Sequence, residues 1–246
     1  MPKFPRHALN GIGVASAALA LAACGQDPAP VEERSQAAVS PDAPLPVAGP
    51  ERHIFAFGDS LLAGYGLEDG EGYPAKLEAA LRGRGINARM SDAAVSGDTT
   101  AAALQRLEFA LDSQSPKPEL AIVSLGGNDM LRGLPPAQAR ENLRKILETF
   151  QQRQIKVLLL GMLAAPNLGK DYAENFNAIY PTLAQEYDAD LVPFFLQPVL
   201  GKPDMMQDDR VHPTRLGVEQ MVAATVDDVE EALPPVETAV PAQAGA

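Results

Sequence analysis

Short apolar runs alternate along the chain with longer segments in which apolar residues recur every three or four positions. Runs such as the one at 53–57 are typical of strands, and segments such as the one at 74–81, with Leu77 and Leu81 four residues apart, are typical of helices. The pattern predicts strands at 53–57, 86–90, 120–125, 156–160 and 191–192. It predicts helices at 74–81, 99–111, 135–150, 171–187 and 214–229.

This alternation predicts the fold class. Strands that are apolar on both faces and are separated by helices favour an α/β fold, in which helices cover both faces of a parallel sheet. Ligands bind such sheets at the carboxyl ends of the strands. We therefore expect the chemistry of this protein in the loops that follow residues 57, 90, 125, 160 and 192.

The first 23 residues have the layout of a secretory signal. Lys3 and Arg6 come before a stretch of small and apolar residues that extends to Ala23. This stretch is too short and too rich in Ala and Gly for a typical membrane-spanning helix, which requires about 20 strongly apolar residues. Residues 1–23 are therefore expected to direct export and then to be removed.

The end of this signal resembles a bacterial lipobox. The motif is Leu21-Ala22-Ala23-Cys24-Gly25, and Cys24 is the only cysteine of the chain. The resemblance implies cleavage before Cys24 and attachment of diacylglycerol to its thiol. Because glycine follows the cysteine, it also implies an exported protein anchored by lipid at the periplasmic face of the outer membrane.

Two segments have compositions that do not suit a packed core. Residues 24–50 contain six prolines and almost no large apolar side chains, and they predict a lipidated cysteine followed by an extended tether. The end of the chain, 234–246, is also rich in Pro and Ala and predicts a flexible tail. The folded domain is therefore expected at 51–233.

Charge and composition exclude several classes of partner and cofactor. The chain has 32 acidic and 20 basic residues and a net charge of −12, which argues against binding to nucleic acid. The acidic domain would also be repelled by anionic lipids, so membrane contact is expected through the lipid on Cys24. Three histidines and one cysteine are too few for a typical zinc site. We expect no metal and no cofactor.

The loop after the first predicted strand contains a candidate nucleophile. Ser60 follows Gly58 and Asp59 at a strand-to-helix turn, where a glycine permits a tight backbone. A tripeptide of this kind also arises by chance, and a serine in this place is typical of an ordinary helix cap. Ser60 alone therefore does not establish a catalytic site.

A serine nucleophile requires a base, and elimination leaves one histidine for this role. His7 is lost with the signal, and His53 begins a buried strand at the end opposite the loop. His212 lies in the loop before the last helix. Asp209, three residues earlier, can fold back to accept the Nδ1 proton of His212, which leaves Nε2 free to take a proton from Ser60. Without Ser60, His212 is equally well explained as a surface histidine beside a helix start.

Acyl transfer also requires donors for the developing oxyanion. Gly97 follows the second predicted strand, where a glycine lets the backbone N–H approach a substrate closely. Asn128 follows the third strand and can donate from its side-chain amide. Taken singly, the two positions are explained as a plain turn and a helix cap.

Together these segments resemble the conserved blocks of the SGNH (GDSL) hydrolase family. The blocks are Gly58-Asp59-Ser60-Leu61, Gly97, Gly127-Asn128-Asp129 and Asp209-x-x-His212-Pro213. Longer segments around them, such as 60–65, 95–99, 125–133 and 206–213, resemble the bacterial multifunctional thioesterase, lysophospholipase and arylesterase branch. The resemblance extends over about residues 51–230.

The resemblance implies a flavodoxin-like α/β/α fold with five parallel strands and no cofactor. It implies Ser60 as nucleophile, His212 as general base and then acid, and Asp209 as the residue that orients His212. The implied oxyanion hole consists of the backbone N–H groups of Ser60 and Gly97 and the side chain of Asn128. The segment 161–169, which differs in detail from relatives, is expected to border the acyl groove.

Three functions follow as alternatives. The first is a monomeric serine esterase that hydrolyses acyl esters outside the cytoplasm, with lysophospholipids, aryl esters and thioesters as substrates. The second is an O-acetyl esterase that acts on polysaccharide of the cell envelope, for which a short acyl pocket would suffice. The third is a non-catalytic envelope lipoprotein that uses the fold for binding. Preference for acyl length distinguishes the first two.

Overall fold

The computed structural model describes residues 46–236. The predictions of a signal at 1–23 and of lipidation at Cys24 lie outside these residues. Most of the predicted tether at 24–50 and most of the predicted tail at 234–246 also lie outside them.

Five parallel strands form one sheet in the order β2-β1-β3-β4-β5. The strands are β1 (Arg52–Gly58), β2 (Ala88–Asp92), β3 (Leu120–Ser124), β4 (Lys156–Leu160) and β5 (Asp190–Val192). In this order β1 is an inner strand. The chain adds β2 on one side of β1 and then β3, β4 and β5 on the other side, which is the flavodoxin-like arrangement. The predicted fold class, a five-stranded parallel sheet in an α/β/α sandwich, is confirmed.

Helices connect successive strands and cover the sheet. They are α1 (Ser60–Ala63), α2 (Tyr73–Gly83), α3 (Thr100–Asp112), α4 (Gly127–Leu131), α5 (Pro136–Gln152), α6 (Lys170–Asn177), α7 (Ile179–Tyr187) and α8 (Arg215–Ala232). Short 3-10 helices lie at Pro166–Leu168 and Pro203–Met205. Helix α2 packs against α8, and α5 packs against both α3 and α7. No helix in the described part of the chain is both long and apolar enough to cross a bilayer.

The centre of the core lies around β1. Phe55 and Phe57 point to the same face of the sheet because side chains alternate along a strand, and their ring centroids are 5.7 Å apart. Phe150 of α5 packs edge-on against both rings at 6.3 Å. All three rings are fully buried. This packing fixes β1, whose carboxyl end leads directly to Ser60.

Two predicted elements differ from the structure. Strand β2 begins two residues later than predicted because Ile86 still donates its N–H to the Leu81 carbonyl at the end of α2. The single helix predicted at 171–187 is two helices, α6 and α7, separated at Ala178. Pro181 explains the break, since it has no N–H for the Asn177 carbonyl and its ring would clash with that group.

Candidate active site

Strand β1 and helix α1 position Ser60. The strand ends at Gly58, and any side chain there would place its Cβ 2.5 Å from the Ser124 carbonyl oxygen of β3. Asp59 follows as the N-cap of α1, and its carboxylate accepts the Leu61 N–H at 3.1 Å. Ser60 is the first residue of the helix and is 9% exposed. The close contact of β1 and β3 therefore sets the position from which the serine projects.

A tight loop before α8 positions His212. Gln207 donates its N–H to the His212 carbonyl at 2.7 Å, and Met206 forms a bridge with Pro213. Asp209 Oδ1 accepts the His212 N–H at 3.0 Å, so the aspartate holds the backbone of the histidine as well as its ring. The ring of Tyr65 lies against the imidazole, with centroids 4.5 Å apart.

The structure brings Ser60, His212 and Asp209 together in one hydrogen-bonded chain. His212 Nε2 lies 2.8 Å from Ser60 Oγ, and His212 Nδ1 lies 2.6 Å from Asp209 Oδ2. Hydrogen bonds from the His212 side chain and from the backbone N–H groups of His212 and Val211 lower the pKa of Asp209 to about 2. Asp209 is therefore a carboxylate at neutral pH.

This charge determines the tautomer of His212. A carboxylate only accepts hydrogen bonds, so Nδ1 carries the proton that it donates to Asp209. In the neutral imidazole, Nε2 then has a free lone pair that accepts from the Ser60 hydroxyl. The arrangement can remove a proton from Ser60 Oγ and hold the resulting imidazolium beside a negative charge.

Besides Ser60, the oxyanion hole was predicted to include Asn128 and Gly97, and these two residues differ in their position relative to the cavity. Asn128 lies on α4 directly after β3, lines the same cavity as Ser60 and His212, and donates from Nδ2 to Asp59 Oδ2 at 3.4 Å. Gly97 lies in the loop after β2 with a left-handed φ of 86°, and its carbonyl accepts from the Arg132 guanidinium at 2.8 Å. Among the described residues, Gly97 is not part of the cavity lining.

Hydrogen bonds to the carbonyl of Gly58, at the end of β1, connect the Gly97 loop to the serine turn. Val95 donates its N–H to the Gly58 carbonyl at 2.9 Å, and Arg106 donates to the same oxygen at 3.1 Å. The Arg106 guanidinium also pairs with Asp98 at 2.6 Å. These bonds keep the Gly97 loop beside the carboxyl end of β1.

A cavity of about 500 Å³ opens beside Ser60 and His212. Apart from polar groups near the serine, its walls are mostly apolar, contributed by Met130, Leu131, Met162, Leu163, Ala164, Ala165, Pro166, Phe194, Leu196, Leu200, Met206 and Val211. The prediction that segment 161–169 borders this groove is confirmed for residues 162–166. Asn177 at the end of α6 supports that wall, because its Oδ1 accepts the Ala164 N–H at 2.7 Å.

Sequence reasoning missed two parts of the site. One is the second apolar wall of the cavity, which follows β5 and includes Phe194, Leu196 and Leu200. Its position after the carboxyl end of a predicted strand was the feature of the sequence that could have indicated it. The other is Asp129, which is 1% exposed and accepts from the Thr100 N–H at 2.8 Å and the Thr100 hydroxyl at 2.6 Å. This buried aspartate ties α4, which carries Asn128, to the start of α3.

The remaining histidine of the domain lies elsewhere. His53, excluded on sequence grounds, is at the amino end of β1 with Nε2 3.5 Å from Glu51 Oε2, at the end of the strand opposite Ser60. Within residues 46–236, no group of three or more His, Cys, Asp or Glu side chains is placed to hold a metal ion.

Comparison with known proteins identifies the family. A model of the GDSL-like Lipase/Acylhydrolase family matches residues 56–220. Esterase TesA of Pseudomonas aeruginosa is 41% identical over 160 residues, which are 65% of this chain and 79% of that protein. Thioesterase 1/protease 1/lysophospholipase L1 of Escherichia coli is 40% identical over 162 residues, 66% of this chain and 76% of that protein.

A solved structure agrees with this assignment. The crystal structure of AlinE4, described as an SGNH-hydrolase family esterase, is similar with a TM-score of 0.65 and 63% sequence identity. The similarity covers 76% of this chain and all of that one. The family resemblance drawn from the sequence motifs is thus confirmed. The chain belongs to the GDSL-like lipase/acylhydrolase family and is a hydrolase.

Proposed function

We propose that this chain is a serine ester hydrolase that acts through an acyl-enzyme on Ser60. The observation that carries the proposal is the hydrogen-bonded chain from Ser60 Oγ through His212 to Asp209, at 2.8 Å and 2.6 Å. All three residues come from one chain, so the proposed site needs no residue from a second copy, and we propose that the enzyme is a monomer.

The geometry supports a two-step reaction. His212 Nε2 takes the Ser60 proton as the oxygen attacks the ester carbonyl, and the carboxylate of Asp209 stabilises the imidazolium that forms. His212 then gives the proton to the leaving alcohol. In the second step His212 deprotonates a water, which attacks the acyl carbon on Ser60. The bond from that carbon to Ser60 Oγ then breaks, His212 returns the proton to Ser60 Oγ, and the carboxylic acid leaves. No step requires a metal or a cofactor.

The proposed oxyanion donors are the Ser60 N–H, the Gly97 N–H and the Asn128 side chain. The position of Asn128 in the cavity wall with Ser60 supports its role, and the bonds that hold the Gly97 loop to Gly58 support the second. Removal of one such donor in a studied protease costs about 100- to 1,000-fold in kcat.

The apolar cavity supports substrates with an extended acyl chain. Each methylene removed from water stabilises a complex by about 0.8 kcal/mol. We therefore expect kcat/KM for p-nitrophenyl octanoate to exceed that for p-nitrophenyl acetate by about tenfold or more. Lysophospholipids, aryl esters and thioesters of similar chain length are the proposed substrate classes. The names of the two relatives, an esterase and a thioesterase and lysophospholipase, support ester, thioester and lysophospholipid substrates.

A pair of matched leucines tests the role of the cavity. Leu163 lines it and is 42% exposed, whereas Leu216 is outside the cavity lining and 47% exposed. Leu163→Ala should lower the octanoate-to-acetate ratio of kcat/KM, and Leu216→Ala should not.

The wild type distinguishes the alternatives. Hydrolysis of p-nitrophenyl acetate alone would favour the O-acetyl esterase, and hydrolysis of neither p-nitrophenyl ester would contradict the proposed function.

We also propose that the protein is exported and anchored by lipid on Cys24 at the periplasmic face of the outer membrane. The lipobox-like segment Leu21–Gly25 supports this location. In a Gram-negative host, Cys24→Ala should move the protein from the membrane fraction to the soluble fraction. Gly25→Asp should keep it on membranes but shift it to the inner membrane. A membrane-bound Cys24→Ala variant would contradict the proposed anchor.

A further inference from the structure

Arg210 occupies a strained position beside the catalytic residues. It lies between Asp209 and His212 with a left-handed φ of 59°. Its N–H donates to the Gln207 carbonyl at 2.9 Å and so closes the turn that brings His212 back over Asp209. A residue with a Cβ is strained in this region, and glycine is not. The turn therefore requires the left-handed backbone but does not explain an arginine side chain.

Arg210 lines two neighbouring cavities. One is the apolar cavity beside Ser60, and the other has a volume of about 540 Å³ and a more polar wall that includes Lys202, Gln207 and Asp208. Leu200 and Met206 also line both. Arg210 thus lies at the boundary between the apolar cavity and the more polar one.

The Arg210 guanidinium is available to a ligand. Within residues 46–236 it forms no hydrogen bond or ion pair with the protein, and the residue is exposed. Neighbouring arginines are engaged, since Arg106 pairs with Asp98 and Arg132 donates to the Gly97 carbonyl. Residues with strained backbone conformations cluster at active sites and at sites that hold ligands.

The polarity of the two cavities indicates which part of a substrate Arg210 would contact. The apolar cavity suits the acyl chain of an ester, which leaves the polar cavity for the alcohol part. A guanidinium matches the geometry of a phosphate and binds it with two parallel hydrogen bonds. We propose that Arg210 recognises a phosphate on the alcohol part of the ester substrate, with Lys202 adding positive charge. This proposal rests on the proposed ester hydrolysis at Ser60.

Two esters that differ only in the phosphate test the proposal. They are 1-decanoylglycerol and 1-decanoylglycerol 3-phosphate, both used below the concentration at which they form micelles, so that no lipid surface contributes. The wild type should give a higher kcat/KM for the phosphate ester. Arg210→Gly should lower the ratio of the two kcat/KM values by about tenfold, the size of one exposed charge-assisted contact. Arg210→Lys should be intermediate because it keeps the charge and loses the planar fork.

Arg210→Gly also separates recognition from folding. It removes the left-handed strain, so its midpoint of thermal unfolding should equal or exceed that of the wild type. Lys145→Ala is the control for loss of one positive charge. Lys145 is on α5, pairs with Glu141 at 3.5 Å and lines neither cavity, so its variant should keep the wild-type ratio.

The possible outcomes are distinct. Inhibition of phosphate-ester hydrolysis by inorganic phosphate, lost in Arg210→Gly, would support a phosphate subsite at Arg210. An unchanged ratio in Arg210→Gly, with both esters still hydrolysed, would overturn the role of Arg210 and leave the proposed function intact. Failure of the wild type to hydrolyse these esters and p-nitrophenyl esters would instead overturn the proposed function.

Discussion

Replacement of Ser60 by alanine should lower kcat for ester hydrolysis by about 1,000-fold or more, and so remove more than about 99% of the activity. The variant lacks the oxygen that attacks the carbonyl, while the His212–Asp209 pair and the apolar cavity remain. The Ser60 hydroxyl has one hydrogen bond among the described residues, to His212 Nε2 at 2.8 Å. The free energy of unfolding should therefore change by less than about 1 kcal/mol.

Ser124 provides a matched control for this experiment. It is 1% exposed, lies opposite Gly58 at the end of β3, and its hydroxyl has no hydrogen-bond partner in the described structure. Ser124→Ala makes the same chemical change close to the site and should keep activity. A p-nitrophenyl phosphonate should label the wild type and Ser124→Ala at Ser60 and should not label Ser60→Ala. Substantial turnover by Ser60→Ala would refute its role as nucleophile.

The sheet and the serine loop could be predicted because local sequence determines them. Central parallel strands are buried on both faces, so β1, β3 and β4 appear as continuous apolar runs. Ligands bind parallel sheets at the carboxyl ends of the strands, and the loops at these ends contain Ser60 and Asn128. Elimination among three histidines then left His212, and the structure places its Nε2 2.8 Å from Ser60 Oγ.

One feature that escaped prediction has a local cause, and the others depend on contacts between distant segments. The break between α6 and α7 could have been found, because Pro181 disrupts the preceding turn wherever it occurs in a helix. The position of Phe194 and Leu196 after a predicted strand was a signal, but only the fold shows that they line the same cavity as Met162. Burial of Asp59 and Asp129 beneath the site was also hidden, because an aspartate in a loop motif is usually exposed.

The burial of Asp59 makes stability depend on pH. The residue is 2% exposed, and burial raises its pKa from 3.8 to about 6. Hydrogen bonds from Leu61 and Asn128 and the charge of His212 lower the pKa, but their effect is smaller than that of burial. The folded state therefore holds a proton on Asp59 that the unfolded state releases between pH 3.8 and 6. Stability falls as pH rises through this window, and the ionised carboxylate costs about 3 kcal/mol above it.

Asp59→Asn should remove this cost. An asparagine still accepts the Leu61 N–H through Oδ1 and carries no charge, so the variant lacks the fall in stability between pH 4 and 7. Over that range, the variant should gain about 2 kcal/mol in free energy of unfolding relative to the wild type, measured by urea denaturation at several pH values. Asp69→Asn makes the same change at an exposed carboxyl and should track the wild type.

The same substitution should lower activity while it raises stability at neutral pH. The Asp59 carboxylate accepts from Asn128 Nδ2 at 3.4 Å and so determines which end of that amide faces the carboxylate. An asparagine at 59 presents an NH₂ group to the Asn128 NH₂ group, which favours rotation of the Asn128 amide and would weaken its proposed donation to an oxyanion. We expect kcat to fall by up to about 100-fold, the lower value for loss of one oxyanion donor. A variant that is equally active and no more stable at pH 7 would contradict both parts of this prediction. It would show that the buried Asp59 carboxylate does not destabilise the fold and does not orient the Asn128 amide. A more stable, less active variant would show that the fold keeps a costly buried carboxylate because the site requires it.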